Sequence, residues 1–289
     1  MTRLLQSVGP RSRVLFVVVL VGAWAAWQLQ LDPRRLIPSS AGWKKTGEFF
    51  GAALAPAVDY EDPPPAGTRA LPLKVAAAIW QTVAFAAVAV GLAVVAGLLL
   101  GFLASSAWWE DDPVGGHTRV HRTLHRFFGP AMVWMTRGVI VVARSVHELL
   151  WAVLFLCAIG LNSTTAILAI AIPYAGVFAK VFSEMIDESP RAAAYAIRGS
   201  GAGPSQVFLF GLLPRALPDI TAYACYRLEC GMRSSAVLGF FGIQTLGYYL
   251  RPAFEEQHYH EVWTYLYALM ALVIFVDWWS AMMRRRLLG

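Results

Sequence analysis

The sequence predicts an all-α integral membrane protein of about six transmembrane helices, forming one membrane domain over residues 1–289. Three observations carry this. Of the 289 residues, 57% are hydrophobic and only 15% charged, where soluble chains carry about a quarter. The apolar residues gather in blocks of about 20, the length a helix needs to cross the hydrocarbon core of a bilayer, and mean hydropathy is +0.54. Basic residues flank the blocks, with Arg3, Arg11 and Arg13 before the first and Arg284, Arg285 and Arg286 after the last; such flanks mark cytoplasmic faces. Helices are the expected spans, because lipid offers no partner to an unpaired backbone group.

The first block, 14–31, follows a basic leader as a signal peptide would. It contains Trp24 and Trp27 and runs into Asp32-Pro33-Arg34-Arg35 without a small-residue cleavage site, so a retained span is the expectation. Residues up to 74 then form a periplasmic segment. Within it, 43–54 reads as an interfacial amphipathic helix and Asp62-Pro63-Pro64-Pro65 as a stiff break. The core region is 75–283. Its first span, 75–104, carries Gly91, Gly97 and Gly101, which are expected to allow close helix packing. A polar loop, 105–126, leads to a segment, 128–161, too long for one perpendicular span. Because this segment holds Arg137, Arg144, His147 and Glu148, it reads as an interfacial helix that bends near Arg144 into the span proper. Spans at 164–182, 220–241 and 262–283 complete the six. A cytoplasmic N-terminus places the loops 105–126 and 183–219 and the arginine tail on the same side, so both termini are expected in the cytoplasm of a multi-pass inner-membrane protein.

Several function classes are set aside by the same residues. The net charge of +6 reports topology, and no basic stretch interleaved with aromatics suggests nucleic-acid binding. Cys157, Cys225 and Cys230 lie in apolar stretches and form neither a disulfide framework nor a metal pair. His117, His121 and His125 recur every fourth residue, but Arg119, Arg122 and Arg126 are interleaved, which disfavours a cation; an interfacial helix is expected and no metal. Trp108, Trp109, Trp278 and Trp279 read as an interfacial belt. No G-x-x-x-x-G-K-[ST] phosphate loop occurs, so ATP hydrolysis by that route is not expected of this chain. An embedded enzyme would need a clustered constellation, for which His147 and Glu148 are the nearest candidates. A secondary transporter would be expected to show repeated halves, and none is visible.

The loop 183–219 carries the most information. Ser189-Pro190 is expected to start a helix with Pro in its first turn, the run Arg191–Arg198 is Ala-rich, and Gly199, Ser200 and Gly201 end it. Pro204 should begin a second short helix that stops before Pro214. Two short helices and a glycine elbow make a knob too small to fold alone, which should dock on a partner.

Ala196, Gly201 and Leu213-Pro214 resemble, in identity and spacing, the EAA loop of type I ABC importer permeases. That resemblance implies the fold of such a permease, with 183–219 as its coupling loop inserted into an ATPase subunit. The implied contact residues are Glu188, Arg191, Tyr195, Ala196, Gly199, Gly201, Leu213 and Pro214. Tyr195 stands where the family usually has Glu, so packing and the neighbours Glu188 and Arg191 would have to serve. Arg144-Ser145-Val146-His147-Glu148-Leu149-Leu150-Trp151-Ala152, with Ile159-Gly160-Leu161, is similar to the third span of phosphonate importer permeases (the PhnE type), with His147 at the usual Pro. The stretch from Tyr226 to Gly239, continuing Phe240-Phe241-Gly242-Ile243-Gln244-Thr245-Leu246-Gly247, is similar to that family's fifth span, where many members have a glycine-richer run.

Charged groups inside spans cost at least about 2.5–3.5 kcal/mol each at the helix centre and usually face a pathway or a partner. Arg144 and Glu148 are four apart, as are Glu229 and Arg233, so each pair can share a helix face. Two readings stand side by side. Either the pairs line a pathway, with Arg144, His147, Glu148, Glu229, Arg233 and Gln244 as its residues and the guanidinium forks suited to an oxyanion, or each pair neutralises itself and holds spans in register. The resemblance implies import of phosphonate by alternating access; phosphite or phosphate is the other oxyanion reading. It also implies a separate ATPase in two copies holding ATP and Mg, a periplasmic or lipoprotein phosphonate-binding protein, and a second permease copy, expected as a homodimer. The chain itself is expected to hold no cofactor and to catalyse nothing.

Overall fold

The computed structural model describes residues 10–31, 37–65, 67–106 and 119–288. Arg3, Trp108, Trp109 and His117 lie outside them, as do the side chains of Arg11, Arg13, Arg119, His121, Arg122, His125 and Arg126. Among the described residues every regular element is a helix, and none is a strand. By contacts the chain divides into two compact units, Met1–Leu54 and Ala55–Gly289.

The first unit holds helix α1, Pro10–Gln28, and helix α2, Ser40–Ala52. Helix α1 is apolar on every side and its valines and leucines are exposed, as a lipid-facing helix requires. Helix α2 starts where Ser39 Oγ accepts the Gly42 N–H, and Lys44 pairs with Glu48 along its polar side. Trp43 and Phe50, one heptad apart, stay exposed on the opposite side, as expected for an interfacial helix.

The second unit is a helical bundle. Helix α3 is Leu71–Ala104, α4 is Arg119–Ser145, α5 is Glu148–Ile159 and α6 is Ser163–Glu188. Helix α7 is Ala192–Gly199, α8 is Pro204–Val207, α9 is Leu213–Leu238, α10 is Leu246–Glu255 and α11 is Tyr259–Leu288. Helices α3, α6 and α11 are each long and apolar enough to cross a membrane, and the pair Gly129–Ser145 and Glu148–Ile159 passes the same test as one broken span bent by 91°. Helix α9 carries Arg215, Asp219, Arg227, Glu229 and Arg233, which lowers its apolarity below theirs.

Packing of α3 on α6 forms the centre. A Cβ on Gly97 would lie 2.4 Å from Phe178 Cβ, and one on Gly101 would lie 3.1 Å from Ala179 O, so the two backbones approach as the sequence suggested. Gly91 is a correction: nothing lies within 4 Å of a Cβ there, because its face of α3 points away from α6. On the other flank of α6, Gly176 sits under Ala143 and the Arg144 N–H, each 3.0 Å from a built Cβ. Ala89, Ala93, Ala169, Ile170, Phe178 and Phe182 fill the interior.

The bend expected near Arg144 is present, but the order of its parts is corrected. At about 1.5 Å per residue, the 12 residues of α5 reach only about 18 Å, too short to cross alone. The longer arm precedes the break. On that arm, Arg137 Nε and Nη2 donate to Ala104 O at 3.2 and 3.1 Å and so satisfy a carbonyl at the end of α3. Beside it, Asp187 accepts from Ser105 Oγ at 2.6 Å and from the Ser106 N–H at 3.2 Å, tying α3 to the end of α6.

At the other end of the bundle, Glu61 and Glu261 exchange backbone bonds. Glu61 Oε1 accepts the His260 and Glu261 N–H groups at 2.8 and 3.1 Å, while Glu261 Oε1 accepts the Glu61 N–H at 2.9 Å. A carboxylate from the 55–70 segment thereby caps the first turn of α11.

Candidate functional site

Helix α6 ends at Glu188. Ser189 Oγ donates to Met185 O at 2.8 Å, and Pro190 lacks the N–H that would continue the helix. Pro190 therefore precedes α7 rather than occupying its first turn, and Arg191 is the N-cap residue. The elbow follows the expectation: Ser200 caps α7, and Gly201 sits at φ +87°, where a side chain would be strained.

The second short helix does not stop before Pro214. Residues 204–238 run on as one helical rod that carries a π-turn near its start, at Phe208–Leu212. Leu213 N–H reaches back five residues to Phe208 O. The cause is Pro214, which has no N–H to give Phe210 O and whose ring would clash with it in a regular helix; widening by one residue absorbs the misfit.

Helix α7 is held to this π-turn by a glycine. A Cβ at Gly211 would meet Ala194 Cα at 3.1 Å and Ile197 Cδ1 at 3.4 Å, so Ala194 and Ile197 form the inner face. Phe208 is buried and meets Phe102 edge-on at 4.6 Å, anchoring the rod to α3. Tyr195, Ala196, Gly199 and Gly201 remain exposed, with Tyr195 at 58%. Leu213 is half-buried and Pro214 exposed, on the rod behind α7. Glu188 lines a cleft of about 610 Å³ with Pro190, Arg215, Asp219, Tyr223 and Arg284. The structure thus gathers the expected loop residues into one knob between α6 and α9, presenting an aromatic and small-residue surface.

The six intramembrane candidates divide. Glu229 and Arg233 form the expected ion pair along α9, with the carboxylate side chain 10% exposed and the guanidinium 57% exposed. Since both sit on one helix, the pair cannot hold two spans in register. Arg144 and Glu148 do not pair; the break at Ser145–His147 separates α4 from α5, so four-residue spacing no longer puts them on one face. His147 takes the place of the usual proline by capping α5: its Nδ1 accepts the Leu149 N–H at 3.3 Å, and its Nε2 lies 3.7 Å from Glu148 Oε2. Glu148 Oε1 instead accepts from Ser234 Oγ at 2.8 Å. Gln244 belongs elsewhere, in a separate cavity of about 500 Å³ lined by Trp80, Gln81, Asn162 and Ser163.

Residues missed from the sequence complete the polar interior. Tyr174 OH lies 3.1 Å from Ser234 Oγ, and Arg227 stands 5.0 Å over the Tyr174 ring while its Nε donates to Tyr223 OH at 3.2 Å. Thr82 Oγ1 accepts the Leu246 N–H at 3.1 Å and Thr82 O accepts from Ser235 Oγ at 3.0 Å. Arg227 could have been found as a charge inside a span. The neutral hydroxyls carry no such signal.

Comparison with known proteins bears on the family and the fold. Residues 124–289 match the family model described as binding-protein-dependent transport system inner membrane component. The phosphite transport system permease protein PtxC of Stutzerimonas stutzeri is 32% identical over 156 residues, 54% of this chain and 57% of that protein. The phosphate-import permease protein PhnE of Mycolicibacterium smegmatis is 26% identical over 264 residues, 91% of this chain and 44% of that protein. The chain spans about half the length of these curated relatives. Among solved structures, the inward-facing MetNI methionine ABC transporter superposes with a TM-score of 0.58 at 22% identity, covering 74% of this chain and 96% of that one. An amino acid ABC transporter gives 0.59 at 15% identity, covering 74% and 94%. At those identities the likeness is one of fold. With its matching region covering more than half of the sequence, this chain belongs to the family of binding-protein-dependent transport system inner membrane components.

Proposed function

We propose that this chain is the permease subunit of an ATP-driven importer and carries phosphonate across the inner membrane by alternating access. The observation that supports it best is the exposed knob of α7 and its glycine elbow, held between two spans by the Gly211 contact and lying inside the matched family region. An eight-residue helix has little stability alone, so its outward Tyr195, Ala196, Gly199 and Gly201 suit a surface that docks into an ATPase. Glu188 and Arg191 flank the knob, and Leu213 and Pro214 form the rod behind it. Since no phosphate-binding loop occurs in the sequence, ATP and Mg would be held by that separate subunit, in two copies.

A periplasmic or lipoprotein binding protein would deliver substrate to the opposite end, and a second copy of the permease would complete the pathway as a homodimer. Both termini would then be cytoplasmic. Arg233, more than half exposed beside the buried Glu229, is the foremost pathway residue. Arg144, His147 and Glu148 lie at the helix break, and Gln244 lies in the cavity with Trp80 and Asn162. A second reading, import of phosphite or phosphate, is favoured by relatives whose names carry those anions.

The test is to reconstitute the permease with the ATPase and binding protein encoded beside it and to measure hydrolysis against phosphonates, phosphite and phosphate. Stimulation by a phosphonate supports the first reading, and stimulation by phosphite or phosphate alone the second. An ATPase that neither associates nor responds to any of these anions refutes both.

A further inference from the structure

A continuous polar chain runs through the interior of the second unit, and the roles proposed above leave most of it unused. It begins at the broken span, where Glu148 Oε1 accepts from Ser234 Oγ at 2.8 Å. That hydroxyl lies 3.1 Å from Tyr174 OH; with its own proton given to Glu148, it receives the tyrosine proton. The Tyr174 ring carries the Arg227 guanidinium at 5.0 Å, a cation–π contact. Arg227 Nε in turn donates to Tyr223 OH at 3.2 Å. Tyr223 packs edge-on against Phe178 at 5.7 Å and lines the cleft that holds Glu188 and Pro190.

The placement of these groups gives the chain its significance. Tyr174 is on α6, which ends at the α7 knob, while Ser234, Arg227 and Tyr223 are on α9, which begins just beyond it. Glu148 opens α5, the short arm beyond the 91° break. From Ser234 to Tyr223 the chain follows α9 for about 16 Å at helical rise. It therefore connects the 91° break between α4 and α5 to both helices that carry the knob. Packing alone does not call for it: an apolar interior would be filled at lower cost by leucine or phenylalanine than by a carboxylate, a guanidinium and three hydroxyls, each of which needs a partner.

We infer that Tyr174, Ser234 and Arg227, joined to Glu148 and Tyr223, form a polar strut that transmits motion of the α7 knob to the break between α4 and α5. They are positioning residues for coupling transport to ATP hydrolysis. This rests on the importer reading, and wild-type hydrolysis stimulated by the binding protein is the control that separates the two. If the wild type shows no such stimulation, the importer reading has failed. If it does, the variants decide the strut.

The experiment measures substrate moved per ATP hydrolysed in proteoliposomes containing the permease, its ATPase and its binding protein. Tyr174→Phe keeps the ring beneath Arg227 and removes one hydroxyl; Ser234→Ala removes the link in the middle; Ser234→Thr keeps a hydroxyl there. The expected result is a fall of about fivefold or more in transport per ATP for Tyr174→Phe and Ser234→Ala, with hydrolysis and thermal midpoint near wild type, and recovery of the ratio in Ser234→Thr. Unchanged ratios in Tyr174→Phe and Ser234→Ala would overturn the proposal. So would losses of hydrolysis and transport in equal proportion, the mark of a role in stability alone.

Discussion

Replacing Gly211 by valine places a branched side chain where the π-turn and α7 meet. A single Cβ at this position already lies 3.1 Å from Ala194 Cα and 3.4 Å from both Ala194 N and Ile197 Cδ1. Alanine asks its neighbours to yield by a few tenths of an ångström, whereas the two further methyls of valine require α7 to move bodily. Overpacking of this kind costs about 1–3 kcal/mol, which is about 5–150-fold in an equilibrium between docked and displaced α7. Helix α7 has eight residues and cannot hold its place by intrinsic helicity, so the strain is relieved by displacing the knob, not by unfolding the bundle. The assay is the permease concentration needed for half-maximal association with the ATPase. Gly211→Val is expected to raise it within that range, Gly211→Ala to raise it by less, and the thermal midpoint to stay near wild type. Wild-type association by the valine variant would refute the claim that this contact positions the coupling surface.

Four further outcomes follow from the same geometry. Gly247→Ala builds a Cβ 2.1 Å from Ala236 O, so folded permease in membranes should fall sharply; normal abundance would contradict the packing of α10 on α9. Gly97→Ala, with its Cβ 2.4 Å from Phe178 Cβ, should likewise lower the thermal midpoint, while Gly91→Ala, which meets nothing within 4 Å, should not, and equal effects would argue against the α3–α6 register. Glu61→Ala removes the acceptor for the His260 and Glu261 N–H groups; loss of this exposed cap should cost about 1 kcal/mol and lower the midpoint by about 2–4 °C. Arg233→Gln, assayed by uptake at normal membrane abundance, should impair transport, and unimpaired uptake would remove Arg233 from the pathway.

What could be read in advance followed from patterns that local chemistry dictates. Apolar blocks located α3, α6 and α11, because lipid fixes both the length and the composition of a span. The elbow at Gly201 was legible because glycine permits a backbone turn that other residues resist, whereas Ser189-Pro190, read as a helix start, instead ends α6 at Glu188. Pro214 misled as well: a proline normally interrupts a helix, and nothing local shows that one extra residue in the turn lets the rod continue to Leu238. Spacing likewise suggested an Arg144–Glu148 pair, which the break at Ser145–His147 prevents. Helix α10 went unseen because Pro252 lies inside it and its buried Leu246, Gly247 and Ala253 are too few to show a helical period. Tyr174 and Ser234 were invisible because their partners lie 60 positions apart in the chain, and only the tertiary fold brings such hydroxyls together.

The importer reading is tested most directly by uptake of labelled methylphosphonate into proteoliposomes that contain this permease, its ATPase and its binding protein, with ATP and Mg enclosed on the ATPase side. Accumulation should require ATP and the binding protein, and should be reduced in Gly211→Val. Uptake driven by an ion gradient without ATP, or failure to accumulate any phosphonate, phosphite or phosphate while the complex hydrolyses ATP, would contradict it.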